Sequence, residues 1–138
     1  MGIGEPDFNT DSSIVNQAFE SVIEKKSTHY TPVAGYLELR EAIALRYWKE
    51  NRLEVDKEEI IVTHGAQHAL VVAMLSLLDP GDEILIPDPY YPSYLSQAFL
   101  SGANPVFIPT FEKDGFKLKA ENVEKNISAK SKLLSLNT

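Results

Sequence analysis

The chain has 138 residues, of which 43% are hydrophobic and 24% charged, with a formal net charge of −7. That is ordinary usage for one globular domain and excludes wholesale disorder. The acidic balance excludes both the basic footprint of a nucleic-acid binder and a polybasic membrane surface. With no cysteine, disulfides, thiolate metal sites and cysteine nucleophiles are excluded too. No apolar run approaches the roughly 18 residues of a membrane span. The opening MGIGEPDF has neither the basic region nor the apolar core of a signal peptide. A cytoplasmic, soluble protein is expected, with no nucleic-acid or membrane partner.

TDSSIVNQAFESVIEKK predicts a helix, with Ile14, Val15, Ala18, Phe19, Val22 and Ile23 on one stripe and Asp or Ser residues placed to cap it. THYTPVAGY is a loop punctuated by Pro32 and Gly35. LELREAIALRYWKEN is a second amphipathic helix, with Leu39, Ile43 and Tyr47 at a spacing of four. From about Asp56 the rhythm changes. EIIVTH reads as a first strand, AQHALVVAMLSLL as a helix, DPGD as a turn and EILIP as a second strand. YPSYLSQAFLSG is a helix closed by Gly102, and PVFIPT is a third strand. FEKDGFKL, with Asp114-Gly115 between phenylalanines, predicts a hairpin. KAENVEKNI is a short helix and SKLLSLNT a fourth strand. Short, continuously apolar strands alternating with helices give an α/β fold, with a parallel sheet covered on both faces. A helical segment, residues 1–55, precedes it; residues 56–138 form the α/β part.

A parallel strand running into a helix delivers the helix N-terminus to the carboxyl edge of the sheet, where open α/β sheets bind ligands. Gly65, Ala66 and Gln67 stand at such a junction. The first turn of a helix has unpaired N–H groups and a positive dipole end. Gly65 lets the backbone approach an anion, and Gln67 adds an amide, so the turn suits a phosphate. A tight strand-to-helix turn alone also explains the glycine. The stretch is neither a P-loop nor a G-x-G-x-x-G fingerprint. His64 and His68 have the spacing of two metal ligands, but no third is evident and no metal is expected. PDPYYPSY emerges at the same sheet edge; a tyrosine there can lie flat on an aromatic ligand, or the prolines can end the strand while the tyrosines pack.

Three segments in order, GIGEPDFNT, YTPVAGYLELREAIA and VTHGAQHALVVAMLSLLDPGDEILIPDPYYPSY, resemble the pyridoxal-phosphate-dependent aminotransferases of classes I and II, which have fold type I. The resemblance runs from Gly2 to Asn137. It implies that Gly65, Ala66 and Gln67 form the turn that binds the phosphate of pyridoxal 5'-phosphate, and that Tyr91 stacks on the cofactor ring. It implies that Tyr30 reaches the phosphate of the neighbouring subunit in a homodimer, and that Gly4 lies near the substrate carboxylate. The substrates implied are an amino acid and a 2-oxo acid. The family's pattern continues past Asn137 into an Asn-Pro-Thr-Gly turn, so no catalytic residue is expected here and the Schiff-base lysine is expected beyond Thr138. Lys113, Lys117, Lys119, Lys125, Lys130 and Lys132 sit among polar residues and read as solvated. The resemblance implies an incomplete large domain, inactive alone, whose first strand lies apart from the next three with later strands between. The alternatives are a carbon–sulfur lyase or related fold-type I enzyme, and a non-catalytic binding or assembly module.

Overall fold

A computed structural model describes residues 4–24 and 27–137, and the chain divides into two units, Met1–Ile61 and Val62–Thr138. In the first, α1 (Ser12–Ile23) starts where the Asp11 carboxylate accepts the Ser13 N–H at 2.8 Å. This supplies one of the partners that a helix start lacks. The hydroxyl and amide of Ser13 hold the Asp11 carboxyl below its usual range. Helix α2 (Leu37–Asn51) ends at Arg52, whose φ of 56° turns the chain out of the helix. Arg40 is buried on α2 and ties it to the following 3-10 turn, Lys57–Glu59. Its Nη1 donates to the Lys57 carbonyl at 3.0 Å and to Glu58 at 3.2 Å.

The first predicted strand, EIIVTH, does not form. Ile60 has extended angles, φ −110° and ψ 127°, but residues 60–63 join no sheet among the described residues, and Ile61 is exposed. A β-branched run favours extended backbone, yet a strand also needs a partner to pair with. The resemblance had placed the family's first strand apart from the next three, with strands from beyond Thr138 between.

In the second unit, α3 (Ala66–Leu77) leads through the Asp79–Asp82 turn into β1 (Glu83–Asp88). Helix α4 (Ser93–Leu100) carries the chain to β2 (Asn104–Pro109), and α5 (Ala120–Asn126) to β3 (Ser131–Leu134). The sheet order is β2-β1-β3 and both pairings are parallel, with Glu83 opposite Asn104 and Asp88 opposite Pro109. Ile84, Leu85 and Ile86 of the central strand are all buried, as a parallel strand covered on both faces requires. Ile84 and Ile86 share a core with Met74 and Leu78 from the α3 side and Ala98 from α4.

The predicted hairpin at Asp114-Gly115 is also absent. Residues Glu112–Asp114 make a 3-10 turn, and the left-handed positions fall on Gly115 (φ 64°) and Phe116 (φ 56°). Because β2 and β3 run parallel, the chain between them must cross over the sheet, which a two-residue hairpin cannot do. Here α5 makes that crossing. Among the described residues no helix is long and apolar enough to cross a membrane.

Candidate functional site

Parallel pairing brings the ends of β1, β2 and β3 to one edge of the sheet. The segments leaving that edge enclose a cleft of about 670 Å³, lined by Tyr90, Tyr91, Tyr94, Phe116, Lys117 and Asn137 among others. Tyr91 is half exposed and meets Tyr94 edge-on, with ring centroids 5.7 Å apart. Tyr90 stacks on Phe107 of β2 at 5.2 Å. The local reason is the proline spacing. Pro89 and Pro92 limit further strand pairing after Asp88, since neither can donate an N–H. Pro92 then stands directly before α4, where a missing N–H costs nothing.

Gly65 caps α3 with φ 82° and ψ 168°, a conformation that is essentially glycine's alone. A Cβ built on it would meet nothing within 4 Å, so the space beside this backbone is open. The Gly65 N–H turns back to the Thr63 carbonyl at 3.0 Å, and the Thr63 hydroxyl donates to the Gly65 carbonyl at 3.2 Å. The donors of the first helical turn therefore begin at Ala66 and Gln67.

The two side chains that follow Ala66 are both engaged. The amide of Gln97 on α4 donates to the Gln67 side-chain oxygen at 2.5 Å and lies 3.4 Å from the Gln67 carbonyl. The Gln67 side-chain oxygen is thus held by α4, while its Nε2, the group that can donate to an anion, and its backbone N–H remain for a ligand. His68 Nδ1 accepts the His64 N–H at 3.2 Å, and the two rings stack at 5.5 Å. His68 thereby ties the first turn of α3 to the residue before its glycine cap. No third metal-ligating side chain joins this pair among the described residues.

Gly65, Ala66, Gln67 and Tyr91 thus share one unit. Gln67 touches the middle of α4, and Tyr91 stands just before its start. Tyr30 and Gly4 belong to the other unit. The Tyr30 side chain is fully exposed, and a Cβ on Gly4 would likewise meet nothing within 4 Å. The six lysines of residues 113–132 are all exposed. The sequence places Tyr94 within PDPYYPSY at this edge, whereas Phe116 and Asn137 are lining residues it does not single out. Asn137 had a usable signal, since it follows a strand whose end must lie at the ligand edge. Phe116 was hidden by the hairpin expectation.

The second unit is a parallel α/β unit with an aromatic cleft at the carboxyl edge of its sheet and an open, glycine-capped helix start, features that suit a planar, anionic ligand. The family described as "Aminotransferase class I and II" matches residues 1–138, and the chain belongs to that family. It is 39% identical, over its whole length, to aromatic-amino-acid aminotransferase 2 of Thermococcus litoralis, and 40% identical to an aspartate aminotransferase of Pyrococcus abyssi. It covers 36% of each of these relatives. Among solved structures, an aromatic aminotransferase from Pyrococcus horikoshii matches with TM-score 0.91 and 42% identity over 96% of this chain and 36% of that one. An aspartate aminotransferase variant from Thermus thermophilus matches with TM-score 0.92 and 39% identity over the same shares. The fold is therefore that of the fold-type I enzymes, of which this chain spans about a third, and the complete enzymes use pyridoxal 5'-phosphate.

Proposed function

We propose that this chain supplies the amino-terminal segment and, over residues 56–138, the start of the cofactor domain of an enzyme that moves an amino group between an amino acid and a 2-oxo acid. One observation carries the proposal: an open, glycine-capped helix start and an aromatic cleft are built on adjoining helices of one unit. The residues fit pyridoxal phosphate, because the open space beside Gly65 admits a phosphate and the cleft offers tyrosine rings to a pyridine. When bound, that group supplies the electron sink for bond cleavage at the substrate's α-carbon.

In this reading the Ala66 and Gln67 N–H groups and the positive end of α3 hold the phosphate, and Tyr91 lies on the ring. The dipole contributes about 0.3–1 kcal/mol, and up to roughly 2 in a partly buried setting, so the remaining affinity comes from direct hydrogen bonds. Tyr30 reaches across a homodimer to the partner's phosphate, Gly4 lies by the substrate carboxylate, and the enzyme works in the cytoplasm. The named relatives are aminotransferases, which favours amino transfer over carbon–sulfur cleavage. A catalytic lysine must be desolvated or placed beside a cation to lower its pKa, and the exposed lysines of residues 113–132 are neither. The 138 residues alone are therefore expected to show no turnover.

The test uses the full-length natural polypeptide, given pyridoxal phosphate, an aspartate or aromatic amino-acid donor and 2-oxoglutarate. Glutamate should form in amounts matching the donor consumed, and Gly65→Asp, which sets a carboxylate at the anion turn, should abolish it. Binding of pyridoxal phosphate without amino transfer for any amino-acid donor would overturn the proposed reaction.

A further inference from the structure

Gln97 is 6% exposed on α4, and Ala98 beside it is fully buried. A glutamine in such a place costs stability unless its amide is satisfied. Only one side of this amide is satisfied. Its Nε2 finds two acceptors, the side-chain oxygen and the carbonyl of Gln67, while its buried Oε1 has no partner among the described residues. Methionine, of similar volume and without polar atoms, would fill the site at no such cost. The hydrogen bonds that Gln97 does make converge on one residue, and that residue is the second of α3. On the other side of the same turn, His68 clasps the His64 N–H.

We propose that Gln97 is a positioning residue. From within α4 it clasps Gln67 and so fixes the first turn of α3, with the Ala66 and Gln67 N–H groups preset for the cofactor's phosphate. The inference rests on the reading that this turn seats the phosphate. It adds that α4 ties the phosphate turn to Tyr91, so that anion seat and aromatic platform keep one spacing. Pre-organisation of this kind raises affinity by removing ordering costs from the binding step. It is also purchased at the expense of the fold, since the unpaired Oε1 destabilises the free protein.

The experiment compares wild type, Gln97→Met, Gln67→Ala and the double variant in the full-length polypeptide. Inorganic phosphate and pyridoxal phosphate are titrated separately, and the urea midpoint is measured without ligand. Gln97→Met should hold or raise the midpoint while weakening both ligands about 2–10-fold, the worth of one hydrogen bond. In the Gln67→Ala background, where only the longer contact to the residue-67 carbonyl survives, the same change should have a smaller effect on affinity. Unchanged affinity in Gln97→Met overturns the inference and leaves the phosphate turn standing. Additive losses in the double variant show that Gln97 does not act through Gln67, and overturn it as well. A fall in midpoint that parallels the fall in affinity reduces Gln97 to a packing role. If wild type takes up neither ligand, the phosphate turn itself is wrong and the inference goes with it.

Discussion

Replacing Gly65 by alanine changes one methyl group and isolates a backbone effect. The residue sits at φ 82° and ψ 168°, and the new Cβ would meet no atom within 4 Å. No clash with a neighbour is created, so the cost is conformational. Holding a non-glycine residue in such a region costs about 1–3 kcal/mol. The polypeptide has two ways to absorb that cost. It can keep the turn and lose stability by that amount, or relax φ to a negative value and displace the first turn of α3. The second route spares stability and weakens phosphate instead, by roughly 5- to 150-fold if the full strain is transferred. The assay therefore needs two measurements on the full-length polypeptide, urea unfolding without ligand and titration with pyridoxal phosphate. The two free-energy losses should sum to about 1–3 kcal/mol. A sum below roughly 0.5 kcal/mol, the range of an unremarkable surface substitution, would refute the claim that this turn depends on glycine.

Met74 is 1% exposed within the core of the second unit, and Met74→Ala should lower unfolding free energy by about 2–5 kcal/mol, measurable by urea denaturation. Tyr91→Phe should bind pyridoxal phosphate as wild type does, whereas Tyr91→Ala should bind it about 2- to 13-fold more weakly, the range for an aromatic contact of roughly 0.5–1.5 kcal/mol; equal binding by all three would remove Tyr91 from the site. Hydrogen bonds from the Ser128 and Ser131 hydroxyls hold the Glu83 carboxyl below its usual range. A carboxyl depressed in the folded state gives stability that is complete above the ordinary carboxylate range and is lost as pH falls through the folded value. The stability gap between wild type and Glu83→Gln should therefore shrink on acidification, and a gap that widens toward acid would contradict this.

Much of the second unit is legible locally. EILIP is continuously apolar, and that alone marks it as a strand buried on both faces; Ile84, Leu85 and Ile86 are so buried. Asp11 before an amphipathic run announces α1, and Gly102 announces the end of α4. The failures share a cause. Ile60–Thr63 has the composition of a strand, but composition does not supply the strand beside it. Asp114-Gly115 has the composition of a hairpin, but the direction of β3 relative to β2 is decided by the whole sheet. Gln97 is the sharpest case for the site. A glutamine in an amphipathic helix reads as solvated surface, and only the approach of α3 to α4 buries it against Gln67. Tyr91 follows a proline-stopped strand, which sequence shows directly; Gly65, Ala66 and Gln67 do open a helix, but the strand expected to lead into it does not form, and Asn137 and Phe116 depend on where three loops meet.

The most direct measurement is a crystal structure of the full-length polypeptide soaked with pyridoxal phosphate. The account predicts phosphate oxygens at about 2.7–3.2 Å from the Ala66 and Gln67 nitrogens, with the pyridine ring on Tyr91 and the Gln97–Gln67 bond intact. A phosphate bound elsewhere, with the start of α3 empty, would contradict it.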